Sequence, residues 1–227
     1  MNIEPIAKIR TDFKTKFGIP RQSGIVKELS GTIIFEKKYR DPNAIRGLDG
    51  FSHIWVIWGF SENVGKEYSP TVRPPKLGGN ERMGVFATRS PFRPNGLGIS
   101  CLKLDKIETS EKYGHVLHVF GADMVDSTPI FDIKPYLSYT DSIADATCGF
   151  ISRTEHSCLT VNVDSELLDR MPRDKADILI KILAEDPRPS YIEDDERIYG
   201  FPFSDYEIKF RVCGNELTVT DIEKRII

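Results

Sequence analysis

The sequence has few cysteines, and no two of them are close neighbours in the chain. The chain has 227 residues, and its cysteines are far apart and form no C-x-x-C motif: Cys101, Cys148, Cys158 and Cys213. Disulfide-stabilised domains and zinc sites both use closely spaced cysteines. A disulfide framework and a zinc cluster are therefore unsupported, and we expect a protein of the reducing cytoplasm.

Long apolar runs are also missing. No stretch approaches the roughly 18 apolar residues that a membrane helix needs. The first residues, MNIEPIAKIRTDFKTKF, lack the apolar core of an export signal. We expect no membrane segment and no export.

Several common catalytic patterns are absent as well. Gly96-Leu97-Gly98 lacks the third glycine of a dinucleotide-binding fingerprint, and neither a Walker loop nor a G-x-S-x-G elbow occurs. His115 and His118 are three residues apart in a predicted strand, so they point to opposite faces and make a poor metal pair. The sequence predicts no Rossmann-type site, no hydrolase elbow and no metal site.

Charge is divided unevenly along the chain, although the net charge is only −3. Residues 1–100 carry 16 Lys and Arg against 9 Asp and Glu, a net +7. Residues 101–227 carry 15 against 25, a net −10. The first part is where a polyanion would dock, although charge alone also fits a solvated surface.

Short alternating or apolar segments separated by Gly, Pro, Asn and Asp dominate the first 140 residues. Such segments are typical of an antiparallel sandwich or barrel. The predicted strands are 6–9, 24–27, 32–35, 53–60, 83–88, 98–104 and 116–120. Residues 53–60 are apolar on both faces, which predicts a central strand with Trp55 and Trp58 in the core.

The pattern changes after about residue 150. Residues 165–170 and 175–185 have helical spacing, and 206–212 with 216–221 predict a hairpin. Earlier in the chain, Asp41-Pro42 predicts the start of a short helix. We expect a mainly β protein: an antiparallel β-barrel with short helices in residues 1–145 and a small α+β domain in residues 146–227.

The densest stretch for function is residues 73–100, and we call its part with the basic residues, 73–96, the arginine loop. Prolines and glycines fix a loop with five basic residues and one acid, and rigid loops that present arginines bind anions. The basic residues are Arg73, Lys76, Arg82, Arg89 and Arg93. From the loop alone, anion binding and pairing of Arg89 and Arg93 with internal acids are equally good interpretations.

Five segments together resemble the signature of the TsaA-like family, whose characterised bacterial members include a tRNA methyltransferase. They are Phe17-Gly-Ile-Pro20-Arg21-Gln22, Arg46 to Trp55, Thr71 to Asn95, Val125 to Tyr136, and the tail with Asp186-Pro187-Arg188-Pro189 and Tyr199-Gly-Phe-Pro-Phe203. The resemblance spans nearly the whole chain. It implies an antiparallel barrel that binds S-adenosylmethionine, usually as a homodimer with the site near the subunit interface. It also implies methylation of N6 of threonylcarbamoyladenosine next to the anticodon of tRNA.

The resemblance also implies cofactor contacts at specific positions. They are Pro20, Arg21, Gln22, Ser61, Glu62, Arg89, Ile99, Asp126, Ser127, Thr128 and Pro129. Ser61-Glu62 differs from the His-Gln of some members, and Ser127 replaces the usual glycine, although a backbone contact survives either change. Arg21 or Arg89 suits the cofactor carboxylate, Asp126 its ammonium or ribose, and Phe86 or Ile99 its adenine.

Two further sets of residues complete the expectation. Asp126 and His53 are candidates for a base that takes the N6 proton. Arg73, Lys76 and Arg93 are candidates for RNA contacts. Two alternatives to this tRNA methyltransferase are a non-catalytic barrel that binds cofactor or RNA and acts through a partner, and methyl transfer to a different acceptor.

Overall fold

The computed structural model describes residues 2–63, 65, 67–74, 77, 81–153, 158–188 and 194–225. In the first 135 residues it has eight strands, six of which form a closed barrel. They are β1 (Ala7–Thr11), β2 (Ser30–Phe35), β3 (His53–Gly59), β4 (Thr71–Val72), β5 (Met83–Gly84), β6 (Leu97–Ser110), β7 (Gly114–Phe120) and β8 (Pro129–Pro135). The predicted fold class, a mainly β antiparallel barrel, is confirmed.

The barrel order is β1-β2-β7-β6-β3-β8, and antiparallel pairing of β8 with β1 closes it. β3 lies between β6 and β8, which confirms the predicted central strand. Its side chains alternate, with Ile54, Val56 and Trp58 buried inside. Trp55, predicted in the core, faces outward instead, because residues three apart on a strand point to opposite sides.

β6 changes partners along its length. Its first half, up to Lys103, pairs with β3, and the half from Lys103 onward pairs with β7. The first half therefore extends past the end of β7. Residues 20–24 lie beside this part of β6, where the Cys101 N–H donates to the Ser23 hydroxyl at 3.2 Å. They also contact the 121–126 turn, since the Gly24 N–H donates to Gly121 O at 3.1 Å.

The second part of the chain forms a four-stranded sheet with helices against it. After α1 (Ser138–Asp141), it contains β9 (Thr160–Asn162), α2 (Ser165–Leu168), α3 (Arg173–Ala184), β10 (Tyr199–Phe203), β11 (Tyr206–Cys213) and β12 (Glu216–Lys224). The sheet order is β10-β11-β12-β9. The predicted hairpin and both predicted helices are present. No helix within the described ranges is long and apolar enough to cross a membrane.

Residues 13–29, between β1 and β2, leave the barrel and pack on the second core. Phe13, Val26 and Leu29 are buried among residues of α3 and the C-terminal sheet. The strand predicted at 24–27 is therefore wrong: Gly24 has a φ of +75° and Val26 enters the other core. Ion pairs Lys175–Asp12 and Lys181–Glu28 also join α3 to this segment.

Two other local predictions have different outcomes. The strand predicted at 83–88 is only β5, because the chain turns into a 3-10 helix at Val85–Ala87. The helix predicted at Asp41-Pro42 is present as a 3-10 turn, Pro42–Ile45, and the Asp41 side chain accepts the Asn43 N–H at 2.9 Å.

Candidate functional site

One end of the barrel brings together most of the residues predicted to bind the cofactor. β3 ends there at Gly59, opposite Leu97 of β6, and Trp58 lies opposite Ile130 of β8. Ser61 and Glu62 follow β3 at this end, Ile99 lies near the start of β6, and Asp126, Ser127, Thr128 and Pro129 lead into β8. A Cβ built on Gly59 would lie 3.4 Å from Pro129 Cγ, so the β3 and β8 ends are in close contact.

Gln22 and Arg89 meet at this end. The Arg89 guanidinium donates to Gln22 Oε1, and the Gln22 amide donates to Arg21 O at 2.6 Å. Pro20, two residues earlier, is buried, whereas Arg21 and Arg89 are exposed. The segment 20–22 and the arginine loop thus present one polar surface, with a guanidinium accessible to an anion.

The arginine loop is held in shape by two of its own arginines. Arg93 donates to Thr88 O at 2.7 Å and to Val85 O at 3.3 Å, and Arg82 donates to the Thr71 hydroxyl at 2.8 Å. Among the described residues, neither Arg89 nor Arg93 forms an ion pair with an acid. Neither arginine is therefore in direct contact with an acid of the described chain, although the Arg89 charge acts on the Asp123 carboxylate; Arg93 stabilises the loop.

Asp126 is surrounded by donors. Its carboxylate accepts the Thr11 N–H at 3.1 Å and pairs with Arg10 at 3.2 Å and Lys14 at 3.3 Å. The side chain is only 12% exposed. Ser127 next to it has a φ of +66° and accepts from Arg10 at 2.9 Å. Asp126 therefore ties the turn before β8 to β1.

Asp123 was missed by the sequence reasoning. It accepts a 2.6 Å hydrogen bond from the Ser100 hydroxyl, and that hydroxyl accepts from the Trp58 indole at 2.9 Å. Burial raises the pKa of Asp123 to about 6, although the Ser100 hydrogen bond and the Arg89 charge act to lower it. A shifted pKa next to a predicted binding residue marks a candidate functional group. In the sequence, Asp123 stands out only as an acid between two apolar residues, Ala122 and Met124. The structure buries both of these neighbours.

His53 lies at the opposite end of β3. Its Nδ1 atom is hydrogen-bonded to the Ser52 hydroxyl at 2.9 Å. The ring packs edge-on against Tyr136. Seven residues of strand at about 3.3 Å each separate it from the Gly59 end by roughly 20 Å. Within one chain, His53 and Asp126 therefore lie at opposite ends of the barrel. Trp55, near the same end, donates to Asp141 at 2.8 Å.

Two of the predicted adenine contacts are exposed apolar side chains. Phe86 in the arginine loop is 71% exposed, and Ile99 on β6 is 46% exposed. Arg93 lies over the Phe86 ring at 5.7 Å. Apolar side chains exposed beside charged ones are typical of ligand sites.

The candidate RNA contacts are only partly described. Arg73 is exposed and forms no hydrogen bond or ion pair with any described residue, whereas Lys76 lies outside the described residues. Lys175 and Lys181 of α3 already pair with Asp12 and Glu28. The basic first part of the chain therefore keeps an exposed cation at Arg73, and α3 keeps one at Arg173.

A polar cavity of about 290 Å³ opens between the barrel and α3. Its lining residues are Arg10, Thr11, Asp12, Lys14, Ser30, Gly31, Thr32, Asp126 and Lys175. The cations among them are paired with Asp12 or Asp126. Ion pairs between its own lining residues therefore stabilise the walls of this cavity.

Comparison with known proteins matches both parts of the chain. A family model described as tRNA-methyltransferase O N-terminal domain matches residues 8–142, and one described as TrmO C-terminal domain matches residues 157–225. The tRNA (adenine(37)-N6)-methyltransferase of Escherichia coli K12 is 36% identical over 98% of this chain and 97% of that protein.

Two further similarities concern Pseudomonas aeruginosa. Its putative S-adenosylmethionine-dependent methyltransferase RcsF is 35% identical over 91% of this chain and 90% of that protein. A crystal structure of TrmO from the same species has a TM-score of 0.79 at 28% identity, covering 98% of this chain and 97% of that chain. Matches over both parts, together with the identity to full-length relatives, mean that the chain belongs to the tRNA-methyltransferase O family.

Proposed function

We propose that this protein transfers a methyl group from S-adenosylmethionine to N6 of threonylcarbamoyladenosine next to the anticodon of tRNA. The observation that carries the proposal is the gathering of the predicted cofactor residues at one barrel end, around Gln22 and Arg89. Family membership supports the reaction class, since the relatives named above are tRNA (adenine(37)-N6)- and S-adenosylmethionine-dependent methyltransferases.

The chemistry of this end fits S-adenosylmethionine. A carboxylate needs a cation, and Arg89 presents one on the surface. The adenine needs an apolar face, which Ile99 and Phe86 offer. Ser61 and Glu62 add acceptors for the ribose or ammonium at the end of β3. Because every kind of partner is present, we assign the cofactor to this barrel end.

When bound, the cofactor supplies a methyl group that its sulfonium has already activated. The protein mainly has to align this methyl with N6, because holding two reactants in line supplies a large part of such a rate. Arg89 and Gln22 would fix one end of the cofactor. The turn formed by Asp126, Ser127 and Thr128, which Arg10 and Lys14 hold in place, would fix another.

The N6 proton must also leave. Asp126 already accepts from Thr11, Arg10 and Lys14, so its oxygens are occupied by these donors. We therefore assign Asp126 to orientation, and we leave His53 out because it lies at the other barrel end. At this exposed site the N6 proton passes to solvent water.

RNA docking, assembly and location complete the proposal. We assign tRNA docking to the basic first part of the chain, with Arg73 and Lys76 as phosphate contacts. The protein acts as a homodimer in the cytoplasm, and the site lies near the subunit interface. Light scattering that finds a fully active monomer would contradict the dimer.

Mass spectrometry of tRNA nucleosides from a strain lacking the gene tests the function. We expect the methylated form of threonylcarbamoyladenosine to disappear, and to return with the wild-type gene but not with Arg89→Ala. Loss of a different methylated nucleoside would mean another acceptor. Full rescue by a variant that no longer binds S-adenosylmethionine would mean a non-catalytic role.

A further inference from the structure

Asp123 connects three segments beside Arg89. Its carboxylate accepts the Ser100 hydroxyl of β6 at 2.6 Å, and the backbone N–H of Ser23 lies close enough to lower its pKa. The Ser100 oxygen accepts from the buried Trp58 indole, so its single proton points to Asp123. A directed chain of hydrogen bonds therefore runs from the barrel interior through Ser100 to Asp123.

Ser23 is held at two points. Its backbone N–H interacts with the Asp123 carboxylate and lowers its pKa, and its hydroxyl accepts the Cys101 N–H at 3.2 Å. The preceding residue, Gln22, accepts from Arg89. The position of the Gln22–Arg89 pair relative to the barrel is consequently set at Ser23, and Asp123 is the charged group that holds it there.

The charges around Asp123 are few. Among the described residues, Arg89 of the arginine loop is the charged side chain that acts on it, and the Ser100 hydroxyl of β6 is its hydrogen-bond donor. Arg89 is the charge that lowers the Asp123 pKa, against the larger effect of burial, which raises it to about 6. Burial also raises the pKa of the Cys101 thiol, next to Ser100 on β6. Asp123 is therefore ionised at pH 7.5 and largely protonated at pH 5.

We propose that Asp123 is a positioning residue of the cofactor site, whose ionised carboxylate holds Ser23, and through it Gln22 and Arg89, in the arrangement that binds S-adenosylmethionine. A protonated Asp123 no longer attracts Arg89 and is a weaker acceptor for the Ser23 N–H. Apparent affinity is reduced by the fraction of protein in the competent form. At pH 5 only about one tenth is ionised, so affinity falls about tenfold. This inference rests on the proposed function.

Calorimetric titration of the full chain with S-adenosylmethionine from pH 5 to pH 8 tests the proposal. Wild-type affinity should fall about tenfold between pH 7.5 and pH 5. Asp123→Asn, similar in size, should bind at least tenfold more weakly at pH 7.5 and show no such fall. Asp205→Asn is the matched control, since Asp205 lies exposed in the turn between β10 and β11 and should leave the wild-type profile unchanged.

Ser100→Ala gives a second, independent readout. It removes a hydrogen bond that lowers the Asp123 pKa, so the fall in affinity should begin at a higher pH. Titration at pH 6 in two buffers of different ionisation enthalpy should show that cofactor binding releases protons from the wild type and not from Asp123→Asn. If Asp123 had a purely structural role, Ser100→Ala would not move the pH at which affinity falls, and the wild type would release no more protons than Asp123→Asn.

The outcomes separate this inference from the proposed function. If Asp123→Asn keeps the wild-type pH profile, or Ser100→Ala leaves the onset unchanged, Asp123 is not the positioning group. If the wild-type protein binds no S-adenosylmethionine at any pH, the proposed function itself fails.

Discussion

Gly18 lies directly against the ring of Phe201. A Cβ built on Gly18 would be 2.4 Å from Phe201 Cδ2, and the Gly18 φ is +88°. Phe201 is fully buried in the second core, so its ring cannot move aside. The segment that carries Pro20, Arg21 and Gln22 can approach the C-terminal sheet only because this residue has no side chain.

Gly18→Ala should therefore destabilise the fold by about 3 kcal/mol, the sum of a left-handed backbone cost and overpacking. Gly47→Ala is the control for the backbone alone, because Gly47 has a φ of +82° and nothing within 4 Å of its Cβ position. It should cost about 1 kcal/mol. Denaturant unfolding measures both, and equal costs would rule out the Phe201 contact.

Arg89→Ala should weaken S-adenosylmethionine binding roughly ten- to a hundredfold, as expected for loss of a charge-assisted hydrogen bond of about 1.5–3 kcal/mol. Arg211→Ala removes the same charge from an exposed position on β11 and should have no effect. Isothermal calorimetry compares the two. Unchanged affinity in Arg89→Ala would exclude this residue from the site.

Arg73→Ala should lower the salt dependence of tRNA binding. The log–log slope changes by about 0.7–0.9 for each phosphate that the protein no longer neutralises, and cofactor affinity should stay nearly the same. Lys76→Ala should act alike. Arg211→Ala again serves as the control, and an equal slope change there would mean that docking is not on the basic first part of the chain.

EDTA should leave methylation intact. Within the described part of the chain, no three His, Cys, Asp or Glu side chains gather as metal ligands do. Activity is measured on tRNA with and without chelator. Activity that is lost and then restored specifically by zinc would contradict this prediction.

Asp123 should also make folding stability depend on pH. Its folded pKa of about 6 lies above its ordinary value of 3.8, so its favourable contribution is complete below pH 4 and is lost as pH rises to 6. Relative to the wild type, Asp123→Asn should therefore gain about 2–3 kcal/mol between pH 4 and pH 6. Denaturant unfolding at several pH values measures the difference, and a constant difference would contradict the raised pKa.

The sequence predicts the barrel well because its strands alternate or are fully apolar. It fails at 24–27, because an apolar residue such as Val26 does not reveal which of two cores it enters. It fails at Trp55 for a similar reason, since a strand that is apolar on both faces gives no inward direction. The link from Ser100 to Asp123 joins residues 23 positions apart, and it depends on the partner change within β6 that no local pattern predicts.

Because residues 13–29 pack on the C-terminal core, the barrel and the C-terminal sheet cannot be separated by one cut without exposing buried side chains. Phe13, Val26 and Leu29 belong to the C-terminal core, whereas Ser23 and Gly24, which follow the predicted cofactor residues, contact the barrel. A cut at the predicted boundary between residues 145 and 146 would leave these three side chains without the partners that bury them. We expect the two halves, produced as separate polypeptides, to regain the cofactor site only when mixed, as fragments of a split enzyme do.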